Sequence, residues 1–409
     1  MKENYIVGLD IGTTKVCVLV GVPTSYGVDV IGVGTAPSRG MRRGMVVNIE
    51  ATVDAIKRAV AEAELMAGCE IRSGIVGIGG VHVQSTNSHG VVALKTGEVT
   101  EEDVNRAIDA AKAVAIPMDR YVIHVLPQEF ILDGQDGIKD PRGMSGVRLE
   151  VKVHIVTGSL AAVQNLLKCV ERAGIVVEAL VLQHLASSEA VLTPEEKELG
   201  VVMVDIGGGT TDIAIFHKGS VKHTVVLPVA GEHITNDIAF GLRTPLEEAE
   251  RIKREHGCAL TALVPPTESF QVPPVSEGQK PRLVSRQLLA EIVEPRVEEI
   301  MRMVEQELDK SGLSKFVPAG LVISGGTALL EGVVEMAAEV FGLPVRRGYP
   351  RGIGGLKDMV NNPQYATAVG LLLYGAQRER PREVKLHEGK GVEKIKRRLK
   401  DLLKDMFSS

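Results

Sequence analysis

The sequence predicts an α/β protein of two related halves that face each other across a cleft, with an α+β insert in the first half. The main observation is a repeat: LDIGTTKV, starting at Leu9, and VDIGGGTTDI, starting at Val204, place the same Asp-x-Gly turn between two strand-like runs. The aspartates of the two copies, Asp10 and Asp205, stand almost half the chain apart. That spacing is far longer than the period of a solenoid and is typical of duplicated domains.

Each copy of the turn belongs to a run of three predicted strands. In the first half the strands are YIVGLD, VCVLVG and VDVIGVG, and in the second half they are VVMVDI, DIAIFH and VKHTVVLPVAG. After the first triplet, IEATVDAIKRAVAEAELMAG is predicted as a helix. Its residues Val53, Ile56, Val60 and Met66 recur on one face, and Gly68 can end it.

The segment SGIVGIGGVHVQS is predicted as one strand, and residues 85–157 form a small α+β insert. The insert contains a helix after Thr100 and the strands YVIHVLPQEFIL and VRLEVKVHIVT, and its lack of an acid pair or nucleophile favours an interaction module. The helices LAAVQNLLKCVERAG and HLASSEAVL close the first half, and TPEEKELG is predicted as a hinge. The second half adds a charged helix, a Pro- and Gly-rich loop or irregular hairpin, and a long helix that contains Pro295.

The composition is that of a soluble globular protein of several domains. The 409 residues are 44% apolar and 24% charged. A net charge of -5 and an aromatic content of 3%, without Trp, argue against nucleic acid as a partner. The four cysteines are far apart, which predicts reduced thiols, and the ten histidines show no metal-ligand spacing. No secretory signal precedes the first strand, and no apolar run reaches the length of about 18 residues that a membrane span needs.

The two glycine-rich turns have the composition of phosphate-binding loops. Small residues let successive backbone N–H groups approach an anion closely, and threonine hydroxyls add donors. Asp10 and Asp205 are predicted to hold Mg²⁺ through water, because this ion gives up its hydration shell reluctantly. Two such turns on facing halves predict a nucleotide clamped between them. The predicted phosphate contacts are Gly12, Thr13, Thr14, Gly207, Gly208, Gly209 and Thr210.

A third motif, SGGTALLEG, places Gly325, Gly326 and Thr327 between a strand and a predicted helix start. Backbone at such a point can lie against a ribose or a phosphate, and a helix N-terminus favours an anion. Each motif alone is also consistent with an ordinary tight turn, but the combination favours a nucleotide site. No GxxxxGK[ST] sequence occurs, so the site is not a P-loop.

Together these motifs resemble the ATPase superfamily of actin, sugar kinases and heat-shock chaperones, which implies an actin-like ATPase fold. LDIGTTKV is similar to the first phosphate motif of the superfamily, VDIGGGTTDI to the second, and LVISGGTALLEG to the adenosine motif. VLQHLASSEAVL and ATAVGLLLYG are similar to the two connecting helices between the halves. From Tyr5 to its last residue the chain resembles the FtsA family of bacterial cell-division proteins, including the segments RRGMVVNIEATVDAI, VGIGGVHVQSTNSHG and LAEIVEPRVEEI.

The resemblance implies ATP and Mg²⁺ as ligands and adds residues to the site. Glu250 and Lys253 match a segment that lies over adenosine in relatives, with a solvated charged helix face as the alternative. Lys15 joins the nucleotide contacts, although other superfamily members place a different residue there, and the alternative is that it points away. Gln183-His184 stands where many relatives carry Glu-Pro, and Gln183 then occupies the position of a water-positioning glutamate.

A glutamine orients water but is a poor general base. We therefore expect at most slow hydrolysis at Gln183, with ATP acting chiefly as a conformational ligand. The alternative is that another carboxylate of the cleft supplies the base.

The resemblance also divides the chain into the subdomains of the family and implies their partners. The C-terminal peptide of FtsZ is expected on subdomain 2B, while subdomain 1C is expected to contact further copies of the chain in a filament and other division proteins. The expected bounds are 1–84 and 158–193 for 1A, 85–157 for 1C, 194–230 and 319–375 for 2A, 231–318 for 2B, 376–390 for a flexible linker and 391–409 for an amphipathic helix.

The segment GVEKIKRRLKDLLKDMF, starting at Gly391, is predicted as an amphipathic helix that lies on a membrane. Its apolar residues fall within one arc of the helix, and most of its basic residues lie outside that arc. Apolar burial and attraction to anionic lipid both favour interfacial binding, and the alternative is a helix docked on its own protein. The predicted membrane-facing residues are Val392, Ile395, Leu399, Leu402, Leu403, Met406 and Phe407.

These features favour an ATP-binding adaptor that polymerises and tethers FtsZ filaments to the inner face of the cytoplasmic membrane at the division site. A small-molecule kinase of the superfamily would need a substrate pocket with a catalytic Asp, and a chaperone would continue into a β-rich domain. A pilus-assembly ATPase with the same insert is the closer alternative, and the basic amphipathic tail counts against it. An MreB-like protein is disfavoured because the insert is at the 1C position.

Overall fold

The computed structural model describes residues 5–113, 116–275 and 280–379. The helices of the first half are α1 (Ile49–Ala67), α2 (Glu101–Lys112), α3 (Leu160–Arg172), α4 (Gln183–Val191) and α5 (Pro194–Leu199). Its strands are β1 (Ile6–Ile11), β2 (Lys15–Pro23), β3 (Val28–Pro37), β4 (Met41–Arg42), β5 (Met45–Val46), β6 (Ser73–Ile78), β7 (Gln84–Ala93), β8 (Arg120–Leu132), β9 (Gln135–Ile138), β10 (Arg148–Ser159) and β11 (Val176–Leu182).

The second half also consists of mixed helices and strands. Its helices are α6 (Gly231–Leu242), α7 (Leu246–His256), α8 (Arg286–Lys310), α9 (Val333–Phe341), α10 (Lys357–Val360) and α11 (Ala366–Glu379). Its strands are β12 (Val201–Ile206), β13 (Thr211–His217), β14 (Ser220–Leu227), β15 (Ser269–Val272), β16 (Arg282–Ser285), β17 (Leu321–Ser324), β18 (Val345–Arg347) and β19 (Ile353–Gly355). Short 3₁₀ turns occur at Thr261–Leu263, Ser314–Phe316, Gly326–Leu329 and Pro363–Tyr365.

Two sheets of the same design form the body of the protein. The first has the order β11-β6-β1-β2-β3-β19, and the second has the order β18-β17-β12-β13-β14. In each sheet an antiparallel hairpin, β1–β2 or β12–β13, pairs with a third antiparallel strand on one side and with two parallel strands on the other. The predicted duplication and the predicted fold class are therefore confirmed.

Apolar patterning explains why these strands become the centres of their sheets. β1 and β12 are buried along nearly their whole length, as expected for central strands covered on both faces. Helix α1 packs on the first sheet; Asn48 caps its start, and Gly68 ends it in the left-handed conformation. The predicted inner face of α1 is correct except at Met66, which is 41% exposed.

The insert is a separate four-stranded sheet with the order β7-β10-β8-β9. Helix α2 begins at a capping box formed by Thr100 and Asp103, and it covers one face of this sheet. Alternate residues of β10 pack against that helix and form the core of the insert. These residues are Leu149, Val151, Val153 and Ile155.

One prediction about local structure is wrong. SGIVGIGGVHVQS is not one strand, because β6 ends at Ile78 and β7 begins at Gln84 in a different sheet. Gly80, with φ +114, lies in the break that takes the chain from the first sheet to the insert. The predicted hinge TPEEKELG contains the short helix α5, which Thr193 and Glu196 start with a capping box.

Two helices, α4 and α11, lie between the sheets as the predicted connecting helices. One hydrophobic cluster contains residues of both sheets together with Ala186 and Ala190 of α4 and Leu371 and Leu372 of α11. The last helix ends at Glu379, so it includes the first residues of the predicted linker, and the remaining linker and the predicted amphipathic helix lie outside the described residues. Within the described ranges every helix is too short or too polar to cross a bilayer.

Replacing Gly370 with Ala should destabilise the protein. The new Cβ would fall 1.8 Å from the carbonyl oxygen of Ala186, so α11 and α4 would have to separate. Overpacking of this kind costs about 1–3 kcal/mol. We expect a melting temperature several degrees lower in differential scanning calorimetry.

The matched control is Gly241→Ala in α6. The nearest atom to its new Cβ would be Cδ1 of Ile292 at 2.8 Å, which is the movable end of a side chain. Alanine also favours helix over glycine, so this variant should melt at the wild-type temperature or above it. Equal melting temperatures of the two variants would contradict the importance of the α4–α11 contact.

Candidate functional site

The two glycine turns have the same internal geometry and meet across the cleft. The N–H of Gly12 donates to the carbonyl of Lys15 at 2.9 Å, and the N–H of Gly207 donates to the carbonyl of Thr210 at 3.0 Å. A Cβ at Gly208 would lie 2.3 Å from Cγ2 of Thr14. A Cβ at Gly209 would lie 2.6 Å from Oγ1 of Thr13. Only glycine lets the turns of the two halves come so close.

The two aspartates occupy equivalent positions just before these turns. Asp10 pairs with Cys17 in the first hairpin, and Asp205 pairs with Asp212 in the second. Burial raises the pKa of Asp10 to about 6; the charge of Lys15 opposes this rise, and the charge of Asp205 adds to it. Burial also raises the pKa of Asp205, against hydrogen bonds from Ser187 and Thr367. The charge of Lys15 therefore offsets only part of the effect of burial on this pair.

Two carboxylates whose pKa values stay raised despite Lys15 fit a divalent cation at the site. Among the described residues no group of three or more His, Cys, Asp or Glu side chains is arranged to hold a metal ion. Two carboxylates together with water and phosphate oxygens are, however, a usual environment for Mg²⁺. Asp10 and Asp205 would hold the ion on either side of the cleft.

Gln183 lies at the site as predicted and contacts one of the aspartates. Its amide nitrogen donates to Oδ1 of Asp10 at 3.0 Å and to the carbonyl of Ile11 at 3.4 Å. A Cβ at Gly79 would fall 2.2 Å from Oε1 of Gln183, so Gly79 leaves the room that this amide needs. The role of Gly79 escaped sequence reasoning, which placed GIGG inside one continuous strand.

Lys15 reaches across to the second half rather than into the first turn. Its Nζ donates to the carbonyl of Gln364 at 3.0 Å and lies 4.1 Å from the centre of the Tyr365 ring. Its charge still lowers the pKa of Asp10 and, more weakly than burial raises it, that of Asp205. Lys15 is thus a cation near the two aspartates that also bonds the first half to the second.

The residues predicted to contact adenosine lie together beside the second turn. Lys253 Nζ donates to the carbonyl of Gly231 at 3.0 Å and pairs with Glu250 at 2.6 Å. Thr327 Oγ1 donates to the carbonyl of Gly207 at 3.0 Å. The side chain of Lys253 is only 12% exposed, so the alternative of a solvated helix face does not describe it.

The third motif has a different local structure from the predicted one. Gly325 and Gly326 lead into a 3₁₀ turn, and the helix α9 begins only at Val333. Gly325 has φ +85, and a Cβ there would lie 2.4 Å from Oδ1 of Asp205. Glycine at position 325 therefore allows the backbone to pack closely against Asp205. Gly326, in contrast, is exposed with open space around it.

Sequence reasoning missed a buried pair beside the site, Asp212 and His184. Burial, with the charge of Asp205, raises the pKa of Asp212 to about 8, and burial lowers the pKa of His184 to about 3. The two side chains approach to 3.8 Å, and Oδ1 of Asp212 and both ring nitrogens of His184 have no hydrogen bond within the described chain. Asp212 is the last acidic residue of the motif VDIGGGTTDI. The sequence shows that a carboxylate is present there but does not show that it is buried. Asp212 is a third carboxyl group at the cleft. It is therefore a candidate for the alternative base that the sequence analysis left open.

Solved structures of bacterial proteins share this fold. A chain of the PilM-PilN type IV pilus biogenesis complex is 17% identical, with a TM-score of 0.66 over 91% of this chain and 98% of that one. MreB 5 of Spiroplasma citri bound to AMPPNP is 15% identical, with a TM-score of 0.55 over 93% of this chain and 98% of that one. At these identities the likeness shows the fold alone, which is the predicted actin-like ATPase fold.

Family models and relatives give a more specific result. The model of the cell division protein FtsA matches residues 202–370, and the model of the SHS2 domain inserted in FtsA matches residues 80–157. Cell division protein FtsA of Pseudomonas aeruginosa is 54% identical over 92% of this chain and 90% of its own length. The FtsA proteins of Neisseria meningitidis and Escherichia coli K12 are 46% and 45% identical over 99% and 92% of this chain, and 99% and 91% of their own lengths. This chain belongs to the FtsA family of cell-division proteins.

Proposed function

We propose that the protein is an ATP-binding adaptor of cell division that polymerises and tethers FtsZ filaments to the inner face of the cytoplasmic membrane. Membership of the FtsA family supports the role in division. The observation that carries the nucleotide part is the meeting of two glycine turns, one from each half, at Thr14 and Gly208. Backbone N–H groups and threonine hydroxyls from both sides would surround the phosphates.

The donor set of the site supports Mg²⁺-ATP as the ligand. Asp10 and Asp205 both have raised pKa values from burial, and a cation between them would stabilise their charged forms. Glu250 and Lys253 lie beside the second turn, where adenosine would extend from the phosphates. Gln183 would orient the attacking water while holding Asp10 in place.

Exposed apolar side chains support a peptide-binding role for residues 231–318. Phe240 is 89% exposed, Leu283 is 71% exposed and Leu246 is 57% exposed. Exposed apolar groups of this kind suit the C-terminal peptide of FtsZ. The insert around α2 would bind further copies of the chain or other division proteins.

The membrane part of the proposal rests on the sequence of residues 391–409. Its amphipathic pattern combines apolar burial with basic residues that favour anionic lipid. Of the alternatives, the pilus-assembly ATPase shares only the fold at 17% identity, and no observation favours a kinase. Family membership therefore favours the division role over both.

Asp205→Asn should weaken Mg²⁺-ATP binding by about 10–100-fold, because it removes one of two carboxylates that orient the cation shell. Isothermal titration with Mg²⁺, and again with EDTA, would measure the effect. The matched control is Asp136→Asn, an exposed position in the insert, which should leave affinity unchanged. Wild-type affinity and Mg²⁺ dependence in the Asp205 variant would show that this carboxylate does not serve the cation.

The wild-type protein alone should hydrolyse ATP more slowly than about 1 s⁻¹, the lower end of the usual enzyme range. Gln183→Ala should slow the remaining turnover further, since no amide would orient water beside Asp10. Phosphate release under saturating ATP would measure both rates. Turnover well above this limit in the wild type would rule out ATP as chiefly a conformational ligand, and an unchanged rate in the variant would exclude the water-positioning role of Gln183.

Replacing both Leu399 and Leu403 with Glu should abolish binding to anionic vesicles in a co-sedimentation assay. The two charges would enter the apolar arc, at a cost of several kcal/mol to an interfacial helix. The control is the pair Lys394→Gln and Lys404→Gln, which changes the net charge equally but leaves the apolar arc intact. It should lose binding only in part. Equal binding of the Glu variant and the wild type would place the anchor elsewhere.

A further inference from the structure

The insert contacts the second half as well as the first half from which it emerges. Its strands β7 and β10 connect directly to β6 and α3 of the first half. The opposite side of its sheet lies against β14, which is the outer strand of the second sheet. Alternation along β10 explains this placement, because Val153 and Ile155 face α2 whereas His154 faces β14.

Side chains of the insert bond to backbone and side-chain groups of β14. We call these contacts the insert latch. Its hydrogen bonds are Ser85 Oγ to the carbonyl of Thr224 (2.8 Å), Asn87 Nδ2 to the carbonyl of Lys222 (3.2 Å), Gln128 Nε2 to the carbonyl of Val221 (2.8 Å) and His154 Nε2 with Oγ1 of Thr224 (2.9 Å).

Two β-bulges meet at the latch. In β8, Glu129 pairs with Lys152 and Pro127 with Val153, so Gln128 is an extra residue with no opposite partner. In β14, His223 pairs with Ile215 and Val221 with Phe216, so Lys222 is likewise extra. A bulge disrupts the ladder locally and redirects a side chain. Here the redirected amide of Gln128 donates to the carbonyls at the bulge of the other strand.

Burial makes the bond between His154 and Thr224 the part of the latch that is most costly to break. His154 is 1% exposed and Thr224 is 4% exposed. Burial lowers the pKa of His154 to about 4, so its ring is neutral near pH 7 and bonds Thr224 through one nitrogen and Oδ1 of Asn87 through the other. Separating the surfaces without water entry would leave these polar atoms unpaired.

The same strand continues to the second glycine turn. The last residue of β14, Leu227, pairs with Thr211, and Thr211 Oγ1 donates to the carbonyl of Val229 at 2.6 Å. The first helical residue after it, Gly231, donates its N–H to the carbonyl of Gly207 at 3.1 Å. Strand β14 therefore touches the insert at one end and the candidate phosphate site at the other.

We propose that the insert latch couples occupancy of the cleft to the position of the insert. The insert is covalently part of the first half and hydrogen-bonded to the second. A change in the angle between the halves, around α4 and α11, must therefore either shear the latch or move the insert. A partner that binds the insert would in turn change the affinity for nucleotide, since such coupling is reciprocal. The proposal rests on the nucleotide site proposed above.

Hydrogen–deuterium exchange of the full chain, with and without Mg²⁺-ATP, tests the coupling. In the wild type, ATP should slow exchange several-fold at both glycine turns and also in β7, β10 and β14. In the variant Asn87→Ala, Gln128→Ala the turns should still be protected, but the response of the insert should be lost. The matched control is Asn105→Ala, Gln135→Ala; it removes the same groups from α2 and β9 and should respond like the wild type.

The outcomes separate this inference from the nucleotide proposal. No protection at either turn would overturn the nucleotide site and the coupling together. Protection at the turns without any change in the wild-type insert would overturn the coupling alone, as would an unaltered response in the Asn87, Gln128 variant. If the double variant does not remain folded at the assay temperature, the milder single variant Gln128→Ala replaces it. Its insert should then respond to ATP more weakly than the wild-type insert.

Discussion

The contact between the two glycine turns is the constraint on which the rest of the site depends. Gly208 and Gly209 meet Thr14 and Thr13 so closely that neither could carry a side chain. This approach brings the ends of two separate hairpins together and buries the aspartates that precede them. Gln183, which donates to Asp10, and Lys15, whose charge opposes the rise in the pKa of Asp10, both lie next to this contact.

A duplicated fold explains why the site is symmetric in its backbone and asymmetric in its side chains. Both turns close with the same hydrogen bond, from Gly12 to Lys15 and from Gly207 to Thr210. The surroundings differ: the first aspartate bonds an amide from α4, whereas the second lies beside Asp212 and Thr367. The duplicated backbone thus supplies two equivalent anion-binding turns, and the different neighbours give the two aspartates different environments.

The repeat could be predicted because its signal is local: Asp10 and Asp205 precede glycine turns that are visible in the sequence. The break after Ile78 could not, since an apolar run does not reveal that its two parts join different sheets. The unusual state of Asp212 arises from burial and from neighbours that only the fold supplies. The same holds for Gly79, whose importance appears only where Gln183 packs against it.

Strand β19 has a consequence for the order in which the protein is assembled. The strands of the second sheet all lie between Val201 and Arg347, whereas β19 completes the first sheet by pairing Ile353 with Val28. At a synthesis rate of about 5–20 residues per second, tens of seconds separate these two strands on the ribosome. The N-terminal sheet, although made first, therefore keeps an open edge until β19 has been made. Until then the free edge of β3 is open to chaperones and to mispairing with other chains.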